Sequence, residues 1–216
     1  MLEPMALFFE NRLAGYDEHM YTAIEGAEEF YRFTAEQLPT APGCEILDLG
    51  CGTGLELEPF FPRNPTARIT GIDLSQGMLA ALREKFPGKS LRLIHGSYFD
   101  TPLGMERYDA AVSVESLHHF PAEQKQALYK NLLDALRPGG FFILTDYFAE
   151  SEALEREYAE ALQHLKAQQG IRDGGFYHYD TPLTVEHEIR VLTRAGFSHC
   201  RILASWGATH TVRAVK

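Results

Sequence analysis

The residues best suited to chemistry begin with Asp48-Leu49-Gly50-Cys51-Gly52-Thr53-Gly54, where a β-like run gives way to a helical one. Glycines let the backbone turn sharply and approach a ligand closely, and a helix N-terminus offers unpaired N–H groups. A dinucleotide fingerprint would carry its third glycine at the position of Leu55, so that pyrophosphate sits at the helix end. Here that glycine comes one residue early, at Gly54, and Asp48 precedes the loop. Such a turn suits a ligand that carries an amino acid and no pyrophosphate. The second motif is Gly71-Ile72-Asp73-Leu74-Ser75. Asp73 closes a strand 23 residues after Gly50, where a carboxylate can accept both hydroxyls of a ribose. Its competing role is to cap a helix opening near Ser75.

Proton-handling groups collect further along. Glu115, Ser116, His118 and His119 follow a fourth β-like run, and Asp146 and Tyr147 end a fifth. An imidazole with an ordinary pKa near 6.5 makes a convenient base, which singles out His119 against a packing or hydrogen-bonding role. A metal site from His118, His119 and Asp146 has no ligand-spacing support, and none is expected. Two other clusters could meet an acceptor. Tyr16 lies beside Arg12 and Asp17, ahead of a helical stretch. Residues 169–182 hold Tyr177 and His178 in a loop rich in glycine and aromatic rings, as lids and acceptor pockets often are. Rings there could stack on a planar acceptor or cage an amine.

The elements that must position these groups follow from periodicity. β-like runs at Glu45–Leu49, 68–72, 91–94, 109–114 and 141–146 alternate with amphipathic helical runs. Pro121 is expected at a first helical position, with Leu128, Leu132 and Leu136 recurring behind it. Ser151 is expected to cap a helix with an apolar stripe at Leu154, Tyr158, Leu162 and Leu165. A further helix over Val185, Ile189 and Leu192 ends at Gly196. Runs 197–204 and 208–215 are separated by too few residues for a crossover and must pair antiparallel. The prediction is an α/β fold, a mostly parallel sheet with helices on both faces that ends in a hairpin. Residues 17–38 read as one extra helix, packed on the sheet or capping the cleft.

Bulk properties bound the partners. A 216-residue chain suits one domain, and its net charge of −10 repels nucleic acid and anionic membranes. The three cysteines form neither a disulfide framework nor a C-x-x-C pair, which fits a reducing cytoplasm. The N-terminus lacks the charge pattern of a signal peptide.

Together these residues resemble the class I S-adenosylmethionine-dependent methyltransferase family, in its small-molecule, quinone-methyltransferase-like branch. The likeness also rests on Tyr108-Asp109-Ala110-Ala111-Val112, Leu136-Arg137-Pro138-Gly139-Gly140 and Ala195-Gly196-Phe197. The resemblance implies a Rossmann-like sheet of seven strands with the last antiparallel. It divides the single domain into a cap (1–40), a cofactor-binding core (44–146), helices with an acceptor loop (147–196) and a hairpin (197–216). It implies S-adenosylmethionine as cofactor and S-adenosylhomocysteine as product. The backbone of Gly50, Cys51, Gly52 and Gly54 would hold the methionine part with support from Asp48. Asp73 would take the ribose, Leu74 and Met78 would pack near the adenine, and Ser97 or the backbone of Tyr98 would contact it. Glu115 joins the cofactor set; Tyr16, His118, Tyr147, Tyr177 and His178 join the acceptor set. A small-molecule acceptor is expected, with no nucleic acid, no membrane, and a monomer or homodimer. A cofactor-binding sensor without transfer activity is the alternative.

Overall fold

The computed structural model describes residues 1–172 and 174–216; Asp173, inside the predicted 169–182 loop, lies outside the described residues. Five strands run parallel: β1 (Glu45–Leu49), β2 (Arg68–Asp73), β3 (Ser90–His95), β4 (Tyr108–Val114) and β5 (Leu136–Tyr147). The chain then returns as β6 (Ser198–Trp206) and β7 (Thr209–Val215), with β7 antiparallel to both β5 and β6. The sheet order is β3-β2-β1-β4-β5-β7-β6. The predicted hairpin is present, but β6 runs on through Trp206, so Gly207 and Ala208 make the turn. Gly207 takes the left-handed backbone, φ +55°, that a turn this tight needs.

Alternation along the strands assigns the two faces. Leu47, Leu49, Phe142 and Leu144 enter one buried cluster, beneath helices α6 (Ala122–Ala135) and α8 (Val185–Ala195). Ile46, Val112 and Ile143 enter the other, against α3 (Ala27–Gln37), α4 (Leu57–Phe60) and α5 (Gln76–Lys85). Caps mark the helix ends as expected. The Ser151 hydroxyl accepts from Leu154 N–H to start α7 (Glu152–Gln168), and Gly196 closes α8 at φ +112°. Pro121 stands one residue outside α6 as its N-cap, in extended backbone.

Two expectations need correction. The 17–38 stretch is two helices, α2 (Tyr16–Ala23) and α3, with α1 (Met5–Arg12) ahead of them. Ile24 is extended and Gly26 left-handed, which breaks the helix. A Cβ at Gly26 would also sit 2.8 Å from that of Trp206, so the bend lets the hairpin approach. The glycine motif does not open directly onto a long helix. It runs through turns into the four-residue α4, and Pro62, which has no N–H to donate, cannot continue that helix. The apolar stripe of α7 forms, but none of its residues is fully buried. Leu162 of the stripe borders a groove, with Glu155, Ala159 and Lys166 from the neighbouring face of the helix. Among the described residues no helix is long and apolar enough to cross a membrane.

Candidate active site

Parallel strands deliver their C-terminal ends to one edge, where the loops after β1, β2, β4 and β5 converge. After β1, the N–H groups of Gly50 and Cys51 both donate to the Ile72 carbonyl, at 2.9 and 3.3 Å. Gly52 N–H donates to Asp73 Oδ2 at 2.9 Å and Gly54 N–H to the Cys51 carbonyl at 2.8 Å. The loop is thus held by its own N–H groups, which the sequence reading took to be unpaired. Gly50 has to be glycine: its φ is +73°, and a Cβ there would lie 2.1 Å from the Ser116 hydroxyl.

Asp73 ends β2 with Oδ1 accepting from Ser75 N–H at 2.8 Å and Oδ2 taking Gly52 N–H. Both oxygens keep a lone pair, since a carboxylate has about four acceptor sites. The helix cap itself is Ser75, whose hydroxyl accepts from Met78 N–H. Asp48 and Glu56 are buried side by side behind the loop. Burial, and then the charge of Glu56, holds the Asp48 carboxyl well above the usual range, so it keeps its proton. The hydrogen that Asp48 keeps bonds it to Glu56, and the pair braces the glycine turn from behind.

After β4, Glu115 takes left-handed backbone, φ +48°, and the chain enters a single 3-10 turn, Leu117–His119. Burial, then the nearby Asp146, pushes the Glu115 carboxyl up to about 8, and Thr209 Oγ1 donates to it. His118 Nδ1 lies 2.5 Å from Asp146 Oδ1, and its Nε2 faces Asp180 Oδ1 at 3.6 Å. Burial pushes its pKa down, but the charge and hydrogen bond of Asp146, with Asp180 and Glu115, carry it up to about 10. His119 presents Nδ1 to the Tyr179 carbonyl at 3.3 Å and to Asp180 at 3.1 Å. Burial, and then the charge on His118, holds it down to about 4.

Two cavities meet here. The larger, about 750 Å³, is lined among others by Phe8, Arg12, His118, Tyr147, His178 and Asp180. The smaller, about 50 Å³, lies over Gly50, Gly52, Asp73, Leu74, Met78 and Tyr98. Phe9, Tyr16, Glu115 and His119 line both. A volume of 50 Å³ is far below the roughly 300–1,000 Å³ of small-molecule sites, because α1 and Tyr16 close the cleft down. A third groove, about 340 Å³, runs between α6, α7 and the 169–182 loop, and His119 borders it too.

Most predicted residues gather at this junction, but some do not line it. Cys51 packs its sulfur beneath Gly71, leaving only its backbone near the loop. The Ser97 hydroxyl is committed to Phe99 N–H at 3.1 Å, whereas the Tyr98 ring reaches the small cavity. Tyr177 borders the groove rather than the large cavity, and His178 stacks on Phe8 at 3.4 Å. Four contributors escaped the sequence reading: Phe9, Glu10, Glu56 and Asp180. Asp180, an acid ending an aromatic loop, carried the one visible signal.

Comparisons with known proteins agree with this geometry. Residues 46–140 match the family model of a methyltransferase domain. Over 129 residues the chain is 31% identical to the erythromycin 3''-O-methyltransferase of Saccharopolyspora erythraea, covering 56% of this chain and 42% of that one. It is also 31% identical over 122 residues to an uncharacterized methyltransferase of Bacillus subtilis, covering 56% and 66%. Both matches span less than two thirds of the relative's length. A solved Thermotoga maritima S-adenosylmethionine-dependent methyltransferase shares the fold, with a TM-score of 0.70 over 98% of this chain and 99% of that one at 19% identity.

Proposed function

We propose that the chain is a member of the class I S-adenosylmethionine-dependent methyltransferase family and that it methylates a small-molecule acceptor held in the 750 Å³ cavity. The observation that carries this reading is the junction: Phe9, Tyr16, Glu115 and His119 stand between the cleft over the glycine loop and the larger cavity. A volume of that size suits a small organic molecule, and the acidic surface disfavours a nucleic acid acceptor.

When bound, S-adenosylmethionine supplies an electrophilic methyl group on a sulfonium and leaves as S-adenosylhomocysteine. The chain's own residues bind and orient. Asp73 takes the ribose hydroxyls with its remaining lone pairs, and the Gly50–Gly54 turn, braced by Asp48, receives the amino-acid end. Leu74, Met78 and Tyr98 wall the base. Tyr16, His118, Tyr147 and His178 face the acceptor. The cap formed by α1 and α2 swings away to admit the cofactor, then excludes water.

An acceptor that must lose a proton gives it to His119. While no ion is bound, carboxylates engage both nitrogens of His118, so it has no lone pair to offer as a base. His119 engages the protein through Nδ1, which leaves Nε2 as its basic nitrogen. The test is to incubate the protein with methyl-labelled S-adenosylmethionine and fractionated cell extract. Label in small metabolites supports the reading. Label in protein or nucleic acid overturns the acceptor class, and no label despite bound cofactor overturns transfer itself.

A further inference from the structure

The loop between α7 and α8 carries Asp180 back against the two histidines that follow β4. Its Oδ1 lies 3.1 Å from His119 Nδ1 and 3.6 Å from His118 Nε2. We propose that His118 Nε2, His119 Nδ1 and the Asp180 carboxylate form a binding site for one divalent transition-metal ion of the zinc or cobalt type. Ion binding here does not require the transfer reaction, although it withdraws His119 as a base.

Three features of the geometry carry the assignment. The first is spacing. Zinc binds imidazole nitrogen and carboxylate oxygen at roughly 2.0–2.2 Å, so neighbouring donors around one tetrahedral ion lie about 3.4 Å apart. The two measured edges fall on either side of that value, and all three donor atoms lie within 4.8 Å of one another. The donors therefore need only small shifts to close on an ion.

The second is orientation. Metal-bound histidines commonly hand their other ring nitrogen to a carboxylate, which fixes the ring and its tautomer. His118 has this support: Asp146 takes Nδ1 at 2.5 Å, and an ion displaces the Nε2 hydrogen that faces Asp180 to solvent and takes that lone pair. Asp146 is itself fixed, being 1% exposed and accepting from Leu117 N–H at 2.8 Å and Tyr147 N–H at 3.0 Å. By sequence spacing no metal site is expected from His118, His119 and Asp146. The fold makes Asp146 the residue behind the ligand and supplies Asp180 in its place.

The third is access. All three ligands line the 750 Å³ cavity, and the Asp180 side chain is 49% exposed. Two histidines and one carboxylate leave coordination positions open toward that space, the arrangement of sites that bind a water or a substrate oxygen.

The ion-free cluster has a different proton arrangement. There His119 Nδ1 carries a hydrogen that it donates to Asp180 and the Tyr179 carbonyl. With an ion bound, Nδ1 gives its lone pair to the metal and the ring hydrogen moves to Nε2. Metal occupancy and base action by His119 are therefore mutually exclusive.

The experiment is a titration of the purified full chain with Co²⁺, read by its visible d–d absorption, followed by competition with Zn²⁺. One equivalent should bind, and Zn²⁺ should abolish the bands. Asp180→Asn and His118→Gln should each weaken binding at least tenfold, and Asp146→Asn by roughly 10–100-fold through lost support. The side chain of Asp180 is half exposed, so Asp180→Asn should keep the fold, and an unchanged thermal melt of the ion-free variant checks this. No bands at millimolar Co²⁺, or bands equally strong in Asp180→Asn, would overturn the proposal. Cofactor affinity is measured separately. A chain that binds Co²⁺ but not S-adenosylmethionine leaves this site standing and sinks the proposed function.

Discussion

Glu10 Oε2 accepts a 2.7 Å hydrogen bond from the hydroxyl of Ser75, which lies 65 residues further along the chain. The same oxygen takes Gly77 N–H at 3.1 Å, so α1 is latched onto the first turn of α5, directly beside Asp73. A second tie joins Asp17 to the Thr53 hydroxyl at 2.5 Å and to Lys85 at 2.6 Å. A third links the cap to the 169–182 loop, through Met5 N–H to the Phe176 carbonyl and His178 N–H to the Glu3 carbonyl. Cap and loop are thereby tied into one connected cover over the cleft.

The latch should respond to acid. The Ser75 hydrogen bond, then that of Gly77, holds the Glu10 carboxyl below its ordinary range. A lowered pKa means the latch contributes fully above the ordinary carboxylate range and is lost as pH falls through the lowered value. The amide resonance of Gly77 should therefore titrate below the normal glutamate range. In Glu10→Gln it should not titrate, and cofactor association should be faster. A Gly77 resonance that titrates identically in both proteins would exclude the latch.

Asp73→Ala should weaken S-adenosylmethionine binding by about 1.5–3 kcal/mol if the carboxylate holds both ribose hydroxyls. Calorimetric titration reads this directly. The substitution also strips acceptors from Gly52 and Ser75 N–H, so a thermal melt must accompany it. An unchanged dissociation constant in a folded variant rules out the ribose role.

His119→Ala should lower kcat by roughly 10²–10⁴-fold toward an acceptor that must shed a proton. Cofactor affinity should stay within a factor of about two, because the residue lies at the cleft's outer edge. Equal losses in His118→Gln and His119→Ala would mean that the cluster acts as a unit and that His119 has no separate role.

Behind the sheet, Lys125 Nζ donates to Glu188 Oε2 at 2.6 Å, and the Tyr129 hydroxyl donates to Glu188 Oε1, all fully buried. Lys125→Met would leave Glu188 charged and half-satisfied, costing about 3–5 kcal/mol. Adding Glu188→Leu and Tyr129→Phe should recover most of that loss. Urea midpoints of the single and triple variants check both statements. A single variant as stable as the parent would mean that water or another group replaces the lysine.

How much of this was legible beforehand divides along a physical line. Strand and helix positions come from short-range periodicity, so alternation at Leu47 and Leu49 or caps at Ser151 and Gly196 can be read locally. The antiparallel hairpin followed from the length of the connection alone, since Ser205-Trp206-Gly207 leave no room for a crossover. The glycine turn and Asp73 were visible because their spacing is a local property of one strand–loop–strand unit. The break at Gly26 was missed because helical spacing of side chains continues across it, and what enforces it is Trp206, far away in the hairpin.

The sequence by itself determined the sheet and the cofactor motif, because both are written in neighbours a few residues apart. Only the tertiary structure decided that Asp180 meets His118 and His119, that Glu10 seals the helix beside Asp73, and that Phe9 stands between the two cavities. Those contacts close loops of about 60 residues or more, and no periodicity marks which side chain a returning loop will present.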